Sequence, residues 1–267
     1  MVELNFTSVL VVSDLHLRGP EDPNQQLFSS FLTERVAADP SCVLLIAGDL
    51  FDFWYAIDAQ VPPHCQELFE RLTELPSVHW LEGNHDIGQS RVLPRQGGLS
   101  IHARSLSFSC GSHSIHLCHG DRLDRADLGH RVLRSLMDSR AVHRLARGIG
   151  AARVQSIGAA LSERARSGRG PMDPRDPRWL QAARADAAER QSRGVGLSVR
   201  GHGHYLGWWP EGLICLGDWL ELHSYLELSA NDSTPRLRCY RPGAAQDPVL
   251  CSRPRGEVRE DGARRSA

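Results

Sequence analysis

Five short apolar runs in this chain each end in an abrupt burst of Gly, Asp, Asn or His: SVLVV before SDLHL, CVLLIA before GDLFD, SVHWLE before GNHD, SIHLC before HGD, and LSVR before GHGH. Runs this short, closed by turn-forming residues, read as strands buried on both faces. Between the first three lie amphipathic segments that read as helices: Gln25–Val36, with Leu27, Phe28, Phe31 and Leu32, and Cys65–Leu75, with Leu68, Phe69, Leu72 and Leu75. Such alternation predicts an α/β fold. In folds of this kind ligands collect in the loops beyond the C-terminal ends of the strands, where all five bursts fall.

After His119 the rhythm changes. Leu128, Val132, Leu133, Leu136 and Met137 follow a helical spacing, a second helical stretch covers Val142–Leu161, SGRGPMDPRDP (167–177) reads as a loop, and Arg178–Arg193 reads as another helix. Strands resume at Gly196–Val199, Leu213–Leu216 and Ser224–Ser229. We therefore expect a core from residues 1–121 and 195–240, a helical insertion or lid over 122–194, and a tail, 241–267, that is rich in Pro, Gly and Arg, lacks periodicity and reads as disordered. At 267 residues the chain suits one large domain carrying such an insertion.

All 31 basic residues are arginine, which fits a GC-rich coding sequence, and the net charge is −1. The charge is unevenly spread: residues 122–193 carry 16 Arg against 8 acidic residues, which leaves the remainder strongly acidic. Trp179 is the only aromatic among these arginines and there is no dense basic run, so nucleic acid is not an expected partner. The N-terminus carries Glu3 and no basic leader, and no stretch approaches about 18 apolar residues. The seven cysteines are odd in number and form no CxxC pair. These features predict a reduced, cytoplasmic compartment.

Collected together, the bursts offer Asp14, His16, Asp49, Asn84, His119, His202 and His204. Asp14, Asp49, Asn84 and His119 recur every 35 residues, close to the length of one strand–helix unit, so each step is expected to return the chain to the same sheet edge. In DLH and GHGH one spacer puts both side chains on one side of an extended backbone. Oxygen and imidazole donors without thiolate suit Mn²⁺, Fe²⁺ or Zn²⁺ at a two-metal site with a shared carboxylate.

The ordered set D-x-H, GDxxD, GNHD, HGD, GHxH resembles the calcineurin-like metallophosphoesterases from residue 8 to about 230. The resemblance implies a four-layer α/β/β/α sandwich and a dinuclear centre. One metal would take Asp14, His16, Asp49 and His204; the second would take Asp49, Asn84, His119 and His202, with Asp49 bridging. His85 and Asp86 become candidate catalytic residues, His85 facing the phosphoryl group while Asp86, like Asp52, orients a loop or a ligand.

LIAGDLFDFW, the long insert after HGD and LGDW look like one branch, the UDP-2,3-diacylglucosamine pyrophosphohydrolases of lipid A synthesis. This branch cleaves the diphosphate to UMP and lipid X, typically with Mn²⁺, under a helical lid. The resemblance implies a lipid-linked nucleotide as substrate, peripheral association with the anionic inner membrane face, and phosphate contacts from Arg122, Arg131 and, foremost, Arg134. Two departures stand out: His85 replaces the arginine of the best-known members, and Gly203 replaces a threonine. His85 suits phosphomonoesters and alkyl phosphodiesters as well as pyrophosphates, so another phosphoester remains the alternative substrate. A nuclease and a metal-free scaffold are the remaining alternatives.

Overall fold

The computed structural model describes residues 4–123, 128–167 and 176–257. Among the described residues the α-helices are α1 (Pro23–Phe31), α2 (Pro63–Glu74), α3 (Gln89–Val92), α4 (Leu128–Asp138), α5 (Arg140–Ile149), α6 (Ala151–Ser167) and α7 (Pro177–Ser192). An eight-stranded sheet runs, neighbour by neighbour, through Val249–Cys251, Asp232–Cys239, Ser224–Ser229, Ser8–Val12, Cys42–Ile46, Val78–Leu81, Leu99–His102 and Arg95–Gln96. A seven-stranded sheet runs through Leu4–Phe6, Ser105–Cys110, His113–Cys118, Leu197–Arg200, Leu213–Leu216, Leu206–Trp208 and Gly256–Glu257.

Period-2 alternation divides each strand between two apolar clusters. Val9, Val11, Val43 and Leu45 of the larger sheet meet Leu106, Phe108, Leu117, Val199 and Ile214 of the smaller one in a shared core. On the other face of the larger sheet, Leu10, Val12, Leu44 and Ile46 pack on Phe28 and Phe31 of α1 and Leu68, Phe69 and Leu72 of α2. On the outer face of the smaller sheet, Leu213 and Cys215 pack on Trp179, Ala183 and Ala187 of α7. Helices, sheet, sheet and helix thus follow one another through three apolar clusters. None of the seven cysteines is in a disulfide.

The helices start where local chemistry tells them to. Asp22, Ser139 and Asp176 accept a backbone N–H at the starts of α1, α5 and α7, and Pro23 and Pro177 open α1 and α7. The helix read over Gln25–Val36 is α1 followed by a π-helical turn, Leu32–Val36, that keeps Leu32 and Val36 buried. The stretch Val142–Leu161 is two helices rather than one, because Gly150 at φ 93° separates α5 from α6. The loop read at 167–177 falls mostly outside the described residues.

The insertion is stitched to the core chiefly through main-chain carbonyls. His143 donates to the Ala56 carbonyl at 2.9 Å, Arg147 to that of Ile57 at 2.7 Å, Gln155 to that of Phe53 and Arg134 to that of Gly83. In the other direction Tyr55 donates to the Met137 carbonyl at 2.8 Å and Arg91 to that of Asp138 at 3.0 Å. Tyr55, Ile57 and Ile87 pack with Ala146, Met137 and Val154 beneath these contacts. Among the described residues no helix is long and apolar enough to cross a membrane.

The expectation of a disordered tail from Arg241 is corrected as far as Glu257. Residues 249–251 pair with Asp232–Cys239, and 256–257 pair with Leu206–Trp208. The reason is a tertiary charge pair that composition does not reveal. The Arg35 guanidinium grips Asp247 through both carboxylate oxygens, at 2.8 and 3.0 Å, and Tyr225 and the Arg241 amide donate to the same carboxylate. Burial pushes the Asp247 carboxyl up, but the hydrogen bonds from Arg35, the Arg241 amide and Tyr225, together with the Arg35 charge, hold it below the usual range. With the folded value depressed, this stabilisation is present above the ordinary carboxylate range and fades as pH falls through the lowered value. We expect Asp247→Ala to cost about 3–5 kcal/mol in urea unfolding, because it leaves Arg35 partly buried without its partner, and to flatten the acid limb of the stability curve.

Candidate metal centre

Asp14, Asp49 and the Asn84–His85–Asp86 burst follow three adjacent parallel strands of the larger sheet, whereas His119 and the His202–His204 burst follow two adjacent parallel strands of the smaller one. The equal spacing of 35 residues therefore returns the chain to one sheet for two steps only; the third crosses to the facing sheet. Both sheets present these ends to the same place. The His202 amide donates to both Asp14 carboxylate oxygens, at 3.1 and 2.9 Å, and the Gly201 amide donates to the His119 carbonyl at 3.0 Å.

Among the described residues six that are not glycine have positive φ, and five of them are Asp14, His16, Asp49, His202 and His204. That conformation costs of order 1–3 kcal/mol per residue and persists only where the surroundings impose it. Main-chain bonds impose it here: the Leu15 and His16 amides both donate to the Asp49 carbonyl, at 2.8 and 3.0 Å. The sixth residue, His223, lies outside the donor set.

Two groups of donors gather within 4.8 Å: Asp14, His16 and His204, and Asp49, His119 and His202. Asp49 joins them, with one carboxylate oxygen 3.7 Å from His16 Nε2 and 3.2 Å from His119 Nε2. Asn84 Oδ1 sits 3.0 Å from the same His119 nitrogen. All seven residues expected as ligands are thereby brought together. The histidines are oriented from behind: His119 Nδ1 donates to the Ala47 carbonyl at 2.8 Å, and His204 Nδ1 lies 3.4 Å from Asp218. Each Nε2 is left facing the carboxylates, the arrangement that metal-binding imidazoles use.

The charges fit a cation. Burial works against ionisation of Asp49, yet His119, His85 and His16 hold its carboxyl well below the ordinary value. Burial would lower His119, but Asp49 raises it well above its usual value, and His204 is raised to about 9 by Asp218 and Asp14 against the same burial effect. Both shifts show that the carboxylates here favour positive charge beside them, as a divalent cation would supply. His16, by contrast, is pushed down to about 3 by burial, which leaves a neutral imidazole lone pair available.

His85 lies beside this set. Its amide donates to Asp49 at 2.9 Å, its Nδ1 donates to the Asp52 carbonyl at 2.7 Å, and its ring meets His16 edge-on at 4.7 Å. His85 also groups with His16 and Asp52 as a third potential donor trio. Asp86 takes a different place from a catalytic residue. Fully buried, it accepts the Asp49, Leu50 and Gly83 amides at 3.2, 2.6 and 2.5 Å and the Trp80 indole at 3.2 Å. Burial, with the Asp49 charge beside it, raises its carboxyl to about 7. Asp86 is a clamp on the two loops, and Gly83 is glycine because a Cβ there would lie 2.1 Å from an Asp49 oxygen.

The arginines depart from expectation. Arg134 is 3% exposed, within 3.8 Å of Glu82 and 3.7 Å of Asp121 and Asp138, so it is sequestered among carboxylates rather than open to phosphate. Arg122 is paired with Asp138 at 2.5 Å. The Arg131 side chain lies outside the described residues. Sequence reasoning passed over Asp218 as a partner of His204, although LGDW carries the same signal as the other bursts: a carboxylate just past a buried strand. Gly203 also finds its cause, since a Cβ there would lie 2.2 Å from the Trp179 ring.

A family model described as calcineurin-like phosphoesterase matches residues 7–206. The chain belongs to that family. Its members are metal-dependent hydrolases of phosphoesters, and the donor set above is chemically suited to divalent cations. Over 240 residues the chain is 28% identical to a UDP-2,3-diacylglucosamine hydrolase of Aeromonas salmonicida (strain A449), covering 84% of this chain and 91% of that protein. The enzyme of the same name from Aeromonas hydrophila subsp. hydrophila is 26% identical over 235 residues, 82% and 93% of the two chains. That of Pseudomonas putida (strain W619) is 29% identical over 129 residues, 47% of this chain and about half, 53%, of the relative. Among solved structures, Vacuolar Protein Sorting 29 from Cryptosporidium parvum is 18% identical with a TM-score of 0.47, covering 92% and 98% of the two chains. The phosphoesterase Yfce from E. coli is 13% identical with a TM-score of 0.44, covering 90% and 96%.

Removing Asp218 tests how His204 is held. We expect Asp218→Ala to weaken metal binding about 10- to 100-fold, read by calorimetric titration with Mn²⁺, with little change in the far-ultraviolet spectrum of the fold.

Proposed function

We propose that this hydrolase binds two divalent metals, Mn²⁺ by preference, and cleaves the pyrophosphate of UDP-2,3-diacylglucosamine to UMP and lipid X. The observation that carries the reading is the convergence of seven oxygen and imidazole donors around Asp49 in a chain that matches UDP-2,3-diacylglucosamine hydrolases over 91% and 93% of their length. Asp14, His16, Asp49 and His204 would hold one metal, and Asp49, Asn84, His119 and His202 the other. Bound there, the pair supplies Lewis-acid neutralisation of phosphoryl charge and lowers the pKa of water.

The chain's own groups do the rest. The Asp52 carbonyl accepts a hydrogen bond from His85 Nδ1–H, which fixes the ring, so that the imidazolium form would have its Nε2–H to donate to a phosphoryl oxygen or to the departing oxygen. Its amide bond to Asp49 keeps that ring beside the metals. The insertion supports a lipid-bearing substrate. Val132 and Leu136 on α4, Leu145 and Ile149 on α5, and Ile157 on α6 are large apolar side chains left 42–69% exposed, and the first two pairs each form an i, i+4 stripe. With the surplus arginines around them, these stripes suit acyl chains and a peripheral contact with an anionic, cytoplasm-facing membrane surface.

Incubation with UDP-2,3-diacylglucosamine and Mn²⁺ is expected to release UMP, and His119→Ala is expected to abolish the release. No UMP above that variant would sink the substrate assignment. His85 in place of arginine favours a second reading, hydrolysis of a phosphodiester or phosphomonoester whose poorer leaving group needs a proton; turnover in a panel of chromogenic esters exceeding that on the pyrophosphate would select it. In either case His85→Ala should retain both metals and lose about 10²- to 10⁴-fold in kcat. Loss of metal together with turnover would instead make His85 a ligand.

A further inference from the structure

Three of the loops at the centre are gripped from outside the core: two grips fall next to Asn84 and His119, ligands of one metal, and the third falls on Gly203, between His202 of that metal and His204 of the other. Arg134 of α4 donates to the carbonyl of Gly83, the residue before Asn84. Trp179 of α7 donates its indole N–H to the carbonyl of Gly120, the residue after His119, at 2.9 Å. The same ring lies so close to Gly203, the residue after His202, that a Cβ there would come within 2.2 Å of it. Trp179 is itself fixed: it is 3% exposed, stacks on Tyr205 at 6.2 Å with its plane tilted by only 5°, and meets the His202 ring at 6.1 Å. Arg134 is equally fixed among Glu82, Asp121 and Asp138.

The remaining ligands are held by the core. Ser13 donates to the Asp14 carboxylate at 2.6 Å, the Trp219 amide donates to the Asp14 carbonyl at 3.2 Å, the His16 amide donates to Asp49, and Asp218 backs His204 at 3.4 Å. The two halves of the centre thus differ in what is added to the core: Asp14 and His16 are held by the sheets, whereas Asn84, His119 and His202 meet α4 and α7 as well as core bonds such as His119 to the Ala47 carbonyl and the His202 amide to Asp14.

We propose that Trp179 and Arg134 are positioning residues for one divalent cation of the pair, the one held by Asn84, His119 and His202, so that docking of the helical insertion sets the affinity of that metal and not of its neighbour. The inference rests on the two-metal reading above. It explains why position 203 is glycine, since threonine and the Trp179 ring would occupy the same space. By thermodynamic reciprocity, filling this metal also tightens the seat of α4 and α7, the helices that bracket the exposed apolar stripes.

The test is a two-site calorimetric titration of the full chain with Mn²⁺, accompanied by thermal melting. Wild type is expected to take two equivalents. Trp179→Ala and Arg134→Gln are each expected to weaken one dissociation constant about 10- to 100-fold, the same one that shifts in His119→Ala and not the one that shifts in His204→Ala. Trp179→Phe, which keeps the ring but loses the N–H to Gly120, should fall between wild type and Trp179→Ala, and it carries the test if the alanine variant fails to fold. Equal weakening of both sites overturns the proposal while leaving the two-metal reading intact. So do unchanged affinities with a lowered melting temperature, which would make the two residues mere packing. A wild type that takes fewer than two equivalents overturns both readings.

Discussion

Asp49 carries a negative charge at 2% exposure, and much of the molecule is arranged so that this charge is tolerable. A buried carboxylate without compensation costs several kcal/mol, enough to consume much of a domain's net stability. The compensation comes from every side: the His85 amide on one oxygen, and the His16 and His119 imidazoles near the other. To supply it, strand ends of both sheets must meet at Asp49, the GNHD loop must reach the Asp49–Leu50 backbone and the Asp49 carboxylate, and Gly83 must lack a side chain. A divalent cation in place of the imidazole protons would satisfy the same oxygens with more charge, so the geometry that makes Asp49 bearable also makes it a bridge.

The strain at the centre has the same origin. Five residues in a left-handed backbone conformation would be a liability in an open loop. Here each follows a fully paired strand, and the parallel register Val9–Val43 through Val12–Ile46 locks the two aspartate loops together before the side chains are placed. Rigid strands pass their order to the loops, and the loops hold side chains in positions that a flexible chain would rarely sample.

Much of this was legible in the sequence, because buried parallel strands and their terminal bursts are local signals. The runs SVLVV, CVLLIA and SIHLC declare strands by apolarity alone, and Asp14, His16, Asp49, Asn84, His119, His202 and His204 declare donors by type. What was not legible is long-range. The pairs Trp54–Tyr55 with Asp86–Ile87 are too short to show a period; Ser105–Cys110 does alternate, burying Leu106, Phe108 and Cys110, and sequence reasoning passed it over. Arg134 and Arg122 read as free charges, because a sequence does not say which carboxylates will surround a guanidinium. Asp86 read as a participant in the chemistry, because a motif aspartate looks the same whether it faces the site or ties down its back. The tail read as disordered because Arg35 and Asp247 lie 212 residues apart.

The seam between insertion and core consists largely of side chains on one part addressed to main-chain carbonyls on the other: Phe53, Ala56, Ile57, Gly83 and Gly120 accept from the insertion, and Met137 and Asp138 accept from the core. A carbonyl is present whatever residue bears it. Apart from Gly83 and Gly120, where a side chain would meet Asp49 or the Trp179 ring, the accepting surface can therefore change its amino acids over evolutionary time without losing the dock, provided the backbone keeps its path. The donating residues have no such freedom. Mutational tolerance across this seam should be one-sided, with variation concentrated on the accepting strand and loops and constraint concentrated on a handful of Arg, His, Gln, Tyr and Trp side chains.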